Sequence, residues 1–277
     1  MTSVNLPFNF KQLTEIVVSL PLFGFVFCIL WSFLFDYEVG FFKTSAQEPL
    51  LASQFTCFSF FPFLFPKAST KTHCEVDNFA PSISAAIGSF LPQKYVWQTC
   101  ICLHISPRFV FLYLYKHFYQ ARLNLKVFST WLLVRAAFFF NFLELLALLG
   151  LTLVSSQEDF DVHKVCFVVF GLSGLAYFII TWYIWTFCGL PLETNAEIFS
   201  LRTKARALKT FLLCGLLMSY FYYRHNEFCE PYVYSLFCMC EYVIVGANMW
   251  FHFTASYDFA HINVVIPAKV GYLPLYQ

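Results

Sequence analysis

Charged residues are scarce in this chain: Asp, Glu, Lys and Arg make up 12% of its 277 residues, against about 25% in an ordinary soluble domain. Hydrophobic residues make up 59%, and the mean hydropathy is +0.64. A globule of this composition could not cover its surface with polar groups, so a multi-pass membrane protein is predicted instead of a soluble fold. The net charge of +1 also excludes the broad basic surface that binds nucleic acid.

Several sequence motifs are missing as well. The 11 cysteines include no C-x-x-C pair with matching His or Cys spacing, so no metal site is predicted. There is no G-x-S-x-G elbow, which leaves three candidate hydroxyls without a supporting motif: Ser82, Ser84 and Ser155. The first apolar run is too long for a cleavable signal peptide, so we interpret it as a signal anchor.

Six apolar runs are long enough to cross a bilayer, which takes about 20 residues each. Each must be helical, because an α-helix satisfies its own backbone hydrogen bonds in lipid. The predicted fold is therefore an all-α, polytopic membrane helix bundle in a single domain. Its predicted spans are about 16–35, 95–115, 128–154, 165–187, 207–223 and 232–254.

Lysine and arginine predict the orientation of this bundle. The links after the second and fourth spans are rich in both residues, whereas the short links on the opposite side hold only Lys164 and Arg224. By the positive-inside rule, both termini are predicted to lie in the cytosol. Residues 36–94 then form a long luminal loop, and residues 40–70 within it are interpreted as an unusual insertion.

Polar residues interrupt the last predicted span along one stripe. Glu241, Asn248 and His252 fall within about 40° of one another on a helical wheel. An apolar helix with a single polar stripe is typical of a span that faces a buried site. However, Glu241 and His252 lie about 16 Å apart along the axis, so one reaction centre cannot use both. We favour the luminal half and interpret Asn248 and His252 as packing or topology residues.

Two other spans carry buried ionisable groups. His104 and Arg108 share a face of the second span, and Glu144 lies on the third. His104, Glu144 and Glu241 all fall roughly 15 Å below the predicted luminal end. One interpretation is a polar cavity that opens to the lumen. The alternative is a structural bridge in which Arg108 pairs with Glu144 or Glu241, and the sequence leaves both open.

Polar side chains also cluster at the predicted luminal rim. They are His73, Glu158, Asp159, His163, His225, Asn226 and Glu230. A histidine near a carboxylate can act as a general base, but it can equally bind a lipid headgroup or cap a helix. Nothing in the spacing of the three histidines demands a metal. Because the lumen is oxidising, Cys74 and Cys229 are predicted to form a disulfide, with Cys57 as the competing partner.

Five separated stretches carry a family resemblance. In order they are HCEVDNFAPSISAAIGSFLPQKYVWQ, LHISPRF, VSSQEDFDVHK, RHNEFCEPYVYSLFCMCEY and NMWFHFTASYDF. They resemble the post-GPI-attachment-to-proteins factor two family, from about His73 to Phe259. The resemblance implies a multi-pass Golgi membrane protein in GPI-anchor lipid remodelling, with the endoplasmic reticulum membrane as an alternative location. It implies GPI-anchored proteins, their lyso-GPI lipid and membrane lipid as partners, and it assigns no catalytic residue.

The activity implied is reattachment of a saturated acyl chain at the sn-2 position of lyso-GPI. Acyl transfer to a hydroxyl needs a base and an oxyanion donor. The candidate catalytic residues are His225, His104, Glu241 and Glu144. The candidate substrate-binding residues are Arg108, Asn226, Glu230, His73 and His163. No bound cofactor is expected, and the acyl donor is not identified by the sequence.

The sequence favours a lipid acyltransferase over two other classes of protein. The alternative is a non-catalytic membrane protein that binds GPI lipid and presents it to a separate remodelling enzyme. A solute transporter is disfavoured, because the chain lacks paired helices broken by proline or glycine.

Overall fold

A computed structural model of the chain describes residues 3–35, 70–88, 90–260 and 263–269. Side chains are described for 10–35, 70–88 and 90–260. The predicted insertion at 40–70 lies outside the described residues except for its last residue, and so does Cys57.

Six long helices build the described part of the chain, and they confirm the predicted all-α bundle. They are α1 (Phe10–Phe35), α3 (Gln93–Arg122), α4 (Phe128–Leu153), α5 (Phe160–Phe187), α6 (Asn195–Phe228) and α7 (Val233–Phe253). Two short helices accompany them, α2 (Ile83–Gly88) and α8 (Ala255–Asp258). α1 packs on α3, α4 on α5, and α6 on α7.

A small sheet was not predicted from the sequence. Strands β1 (Ser3–Asn9) and β2 (Asn263–Lys269) pair antiparallel, with Leu6 opposite Ile266. The hydropathy of the two terminal segments does not predict this pairing. Two strands so distant in sequence can pair only if the helix bundle brings them next to each other.

Within the described residues, four helical segments are long and apolar enough to cross a membrane. They are Phe10–Phe35, Phe128–Leu153, Phe160–Phe187 and Val233–Asp258. The predicted spans 95–115 and 207–223 lie inside α3 and α6, which are 30 and 34 residues long and continue into polar turns. Six spans with cytosolic termini therefore stay a prediction.

Helix ends in the links are set by local capping. The Asp159 side chain accepts a hydrogen bond from the Val162 N–H and caps α5. Thr194 and Glu197 form a capping box that starts α6. α6 ends at Cys229, whose φ of 48° lies in the left-handed region. The described residues 70–88, 90–92, 154–159 and 229–232 lie at one end of the bundle, which we call the predicted luminal end.

Aromatic packing holds the opposite half of the bundle together. The rings of Phe178 and Phe251 stack with centroids 3.7 Å apart, and Phe10 lies against Phe111 and Phe259. Many other large apolar side chains are exposed on the outer surface of the helices. This distribution agrees with a bundle whose outer surface contacts lipid.

Candidate functional site

The predicted luminal end contains a serine–histidine pair. Ser84, in α2, places its Oγ 2.8 Å from Nε2 of His163, in the first turns of α5. The other ring nitrogen, Nδ1, lies 2.7 Å from the carbonyl oxygen of Val154. A carbonyl oxygen only accepts, so Nδ1 of a neutral ring carries the proton and Nε2 is left to accept from the Ser84 hydroxyl. This arrangement matches a nucleophile, a base and a group that orients the base.

Helix α7 holds the short helix that carries Ser84. Glu241 accepts a hydrogen bond from the Ile83 N–H at 3.1 Å, and the Tyr242 hydroxyl donates to the carbonyl oxygen of Pro81. Ser82 accepts from the Ala85 N–H at 3.0 Å and caps α2. Glu241, predicted to be catalytic, therefore contacts the backbone next to Ser84.

A small cavity adjoins the pair, and we call it the Ser84 cavity. It has about 240 Å³ of empty space, including its open mouth. Its lining residues are Ser84, Ile87, Lys94, Trp97, Gln98, Leu151, Thr152, Ser155 and His163. The lining mixes apolar side chains with a few polar groups, as ligand sites do, but the enclosed space is far smaller than the usual ~300–1,000 Å³ of such sites. The cavity is thus a narrow recess beside Ser84 that does not enclose a lipid.

A charged pair lies beside this cavity. Lys94 Nζ lies 2.8 Å from Glu158 Oε1. Hydrogen bonds from Lys94 and from Ser155 lower the pKa of Glu158 from 4.5 to about 2. A lowered carboxyl pKa means that the ion pair is complete above pH 4.5 and is lost only as the pH falls through about 2. Glu158 therefore keeps its negative charge beside the cavity at any physiological pH.

A second polar group lies in the middle of the bundle, and we call it the central network. Its members are His104, Arg108, Asn141, Glu144, Asn248 and His252, each between 1% and 7% exposed. Arg108 Nη2 lies 3.7 Å from Glu144 Oε1. The same guanidinium lies 3.3 Å from His104 Nε2 and 3.3 Å from Asn141 Oδ1. The pairing of Arg108 with Glu144, one of the two interpretations from the sequence, is therefore present.

This network bears on the interpretations made from the sequence. Asn248 and His252, interpreted as packing or topology residues, contact Glu144 Oε1 at 2.8 and 3.0 Å and so link α7 to α4. Glu241 contacts α2, and its carboxylate is not a member of the network. His104 is also occupied: its Nδ1 lies 2.7 Å from the carbonyl oxygen of Val17. The three groups at one predicted depth thus do not line one common cavity.

The rim of α6 forms a third group. Cys74 and Cys229 are joined by a disulfide, with Cα atoms 5.3 Å apart. The His73 and His225 rings lie next to it, with centroids 5.4 Å apart. His225 is 3% exposed, and neither ring nitrogen has a hydrogen-bond partner among the described residues.

The remaining candidate residues at the rim contact residues that are close to them in the sequence. Asn226 is exposed and donates to the carbonyl oxygen of Tyr222 at 2.8 Å. Glu230 forms an ion pair with Arg224. His73, Cys74 and Cys229 come close enough to hold a metal ion, but a disulfide withholds both thiolates from that role. We therefore assign these groups to the structure of the rim.

The buried rim histidine makes rim stability depend on pH. Burial, followed by the nearby His73, lowers the pKa of His225 below 6.5. The unfolded chain then binds the proton first, so stability is complete above pH 6.5 and falls as the pH drops below it. We expect thermal unfolding to show a larger loss between about pH 8 and about pH 5 in the wild type than in His225→Phe. Equal losses in both proteins would contradict this expectation.

The sequence analysis missed a buried cluster at the opposite end. Lys204 Nζ lies 2.5 Å from both Asp258 Oδ2 and Ser200 Oγ. Asp258 also accepts from the Ser200 and Tyr115 hydroxyls at 2.5 Å. Both Ser200 and Lys204 lie in the basic link after the fourth predicted span, residues 189–209, which was interpreted only as a determinant of topology. Ser200 and Lys204 are four residues apart on one face of α6, which was the available clue.

The fold and its polar groups define a polytopic membrane helix bundle with a serine–histidine pair at one end and a buried ionic network at its centre. Residues 48–262 match the family model described as the Frag1/DRAM/Sfk1/Cwh43P N-terminal domain. This match begins inside the segment that was interpreted as an insertion.

Individual relatives extend the match over most of the chain. It is 36% identical over 250 residues to "Acyltransferase PGAP2" of Xenopus tropicalis, which covers 90% of this chain and 87% of that protein. It is 35% identical over 260 residues to "Post-GPI attachment to proteins factor 2" of Caenorhabditis briggsae, covering 92% of each. The protein of that name from Drosophila melanogaster is 34% identical over 262 residues, covering 95% and 90%.

The chain therefore belongs to the post-GPI attachment to proteins factor 2 family, as its motifs predicted. No solved structure matches it.

Proposed function

We propose that this chain acts in GPI-anchor remodelling, as an acyltransferase that attaches a saturated chain to the sn-2 hydroxyl of lyso-GPI. The observation that carries the proposal is the 2.8 Å contact between Ser84 Oγ and His163 Nε2 beside the Ser84 cavity. Acyl transfer to a hydroxyl requires a base that can accept the proton of that hydroxyl. His163 can serve as this base beside the Ser84 cavity, because the contact of Nδ1 with Val154 leaves its Nε2 as the acceptor.

The proposal changes the roles expected from the sequence. His163 moves from substrate binding to general base. Glu241 positions α2, and His104 and Glu144 hold the helices together through the central network. Lys94, which lines the cavity, supplies the positive charge that the GPI phosphate would contact.

The predicted topology supports the same assignment. GPI lipid occupies the luminal leaflet, and the positive-inside rule predicts that the Ser84 end of the bundle lies in the lumen. The lipid chains would lie outside the cavity, against exposed apolar side chains. Examples are Leu91, Tyr95 and Leu153, which are close in sequence to residues that line the cavity. We place the protein in the Golgi membrane with both termini in the cytosol.

Reconstituted protein tests this function. Purified chain in liposomes is supplied with lyso-GPI and a labelled acyl donor, either a phospholipid or an acyl thioester. We expect transfer by the wild type and a loss of about 10²- to 10⁴-fold in His163→Ala, because that variant lacks the base. His117→Ala is the matched control, since His117 is exposed at the other end of α3.

Two outcomes would contradict the proposal. Undiminished transfer by a folded His163→Ala protein would remove the assignment of the base. If the wild type binds lyso-GPI but transfers no chain from any donor, the chain presents GPI lipid to a separate enzyme and is not itself the acyltransferase.

A further inference from the structure

The Ser84 hydroxyl is placed to react before any substrate hydroxyl does. We propose that Ser84 is a nucleophile that carries the acyl chain as a covalent ester between the donor and the lyso-lipid. This inference rests on the proposed acyl transfer and adds a route for it. In this covalent route Ser84 is a catalytic residue, whereas direct transfer with general-base catalysis would require only His163.

Ser84 and His163 differ in their exposure to solvent, as a nucleophile and its base require. Ser84 is partly exposed and lines the cavity, whereas His163 is 6% exposed. A substrate carbonyl can therefore reach Oγ, while the imidazole is shielded from water. The orientation of the ring is set by Val154, the third member of the arrangement.

The backbone around Ser84 is held from three sides. The preceding N–H donates to Glu241 and the following N–H donates to Ser82. Ser156 Oγ donates to the Ser84 carbonyl oxygen at 3.4 Å. These contacts hold a six-residue helix that would otherwise be marginal, and a fixed backbone keeps the nucleophile within reach of its base.

The other candidate hydroxyls at this end, those of Ser82 and Ser155, have structural roles. Ser82 Oγ accepts from the Ala85 N–H as the cap of α2. Ser155 Oγ accepts from the Glu158 N–H at 3.3 Å in the turn before α5. Of the three serines that the sequence singled out, Ser84 is the one whose hydroxyl contacts a histidine in the described part of the chain.

Cavity size favours a two-step route. A direct transfer needs the donor ester and the acceptor hydroxyl in the site together. The Ser84 cavity is a narrow recess whose roughly 240 Å³ of empty space includes its open mouth, so it does not enclose two lipid groups side by side. Two lipids arriving one after the other can use it, provided that the protein holds the acyl chain in between.

Both steps balance with His163 as the proton carrier. In the first, Nε2 takes the Ser84 hydroxyl proton, and Oγ bonds to the carbonyl carbon of an acyl ester or thioester. The bond to the leaving oxygen or sulfur breaks, and that atom takes the proton from Nε2. In the second, Nε2 takes the proton of the lyso-lipid hydroxyl, whose oxygen attacks the acyl–serine ester. Ser84 Oγ leaves and regains the proton, so no oxidant or reductant is consumed.

A fluorophosphonate probe tests the nucleophile without lyso-GPI. We expect the wild-type protein in liposomes to be labelled at Ser84, as located by peptide mass spectrometry. Labelling should disappear in Ser84→Ala and fall at least about 100-fold in His163→Ala, because the base activates the hydroxyl. Ser219→Ala is the control, since Ser219 is an exposed serine on α6. Absence of wild-type labelling at Ser84 would count against an activated nucleophile.

Incubation with a labelled acyl donor and no acceptor then tests the intermediate. We expect the acyl mass on the Ser84 peptide, and separate arms with phospholipid and acyl thioester identify the donor. Ser84→Cys guards against misfolding of the alanine variant, because it should carry the chain as a thioester. Transfer to lyso-GPI with no acyl–Ser84, and with activity kept in Ser84→Ala, would overturn the covalent route and leave the proposed function standing. Acyl–Ser84 that lyso-GPI does not discharge would support the route and contradict the proposed acceptor.

Discussion

Replacement of Glu144 by alanine is expected to destabilise the bundle by about 3–5 kcal/mol, because it leaves a buried cation without its partner. Arg108 is 3% exposed and Glu144 1% exposed, so water cannot replace the lost carboxylate. Asn248 and His252 would lose their contacts with it as well. Such a loss is a large share of the roughly 5–15 kcal/mol that stabilises an ordinary fold. Thermal unfolding in detergent, followed by tryptophan fluorescence, measures it.

The matched control lies on the same helix. Leu146 is 43% exposed, and Leu146→Ala should change stability by only about 0.5 kcal/mol. A second comparison removes both charges. Arg108→Leu combined with Glu144→Leu should cost less than the sum of the single changes, because no lone charge remains. Strict additivity, or a Glu144→Ala protein that melts like the wild type, would show that the ion pair does not hold the helices together.

The second large effect is expected at the other end of the bundle, where Asp258→Ala should cost about 3–5 kcal/mol. Lys204 is 1% exposed and would stay buried without a counter-ion. Ser200 and Tyr115 would lose their acceptor at the same time. Because Asp258 lies in α8 while Lys204 lies in α6, we expect the segment after α7 to detach first. Limited proteolysis near α8, together with the melting temperature, measures this.

A series of variants separates charge from hydrogen bonding at this position. Asp258→Asn keeps an acceptor for one hydroxyl and should fall between the wild type and Asp258→Ala. Glu227→Ala removes a carboxylate that is exposed on α6 and should melt like the wild type. If Asp258→Ala and Glu227→Ala behave alike, the buried cluster makes no contribution to stability.

These two networks are distinct from the proposed catalytic centre. The central network and the Lys204 cluster lock helices to one another through charges enclosed in the protein. The Ser84 pair instead lies beside a cavity with an open mouth. An intramembrane ionisable group is a reasonable first hypothesis for function, but we assign the enclosed groups to stability and the proposed chemistry to the pair formed by the partly exposed Ser84 and the buried His163. Activity losses in central-network variants should therefore follow their loss of folded protein.

Part of the candidate site could be predicted from the sequence. The apolar runs predicted the helices, because backbone hydrogen bonds in lipid leave no alternative. The spacing of His104 and Arg108 put them on one face, and the pairing of Arg108 with Glu144 or Glu241 was one of two interpretations. His163 was singled out at the rim. The disulfide between Cys74 and Cys229 was predicted, and the structure contains it.

The sequence by itself determined a polytopic helical bundle, its polar stripes and its family, because hydropathy, helical period and motif order are local properties of the chain. Only the tertiary structure decided which polar groups meet. Ser84 and His163 are 79 residues apart, and α2, which carries Ser84, is held by contacts with α7 that no periodicity reveals. Lys204 and Asp258 meet because α6 and α8 close the same end of the bundle. Glu241 was placed at the depth of His104 and Glu144, yet its carboxylate contacts the start of α2, because the folded loop and not the helix alone decides its partner.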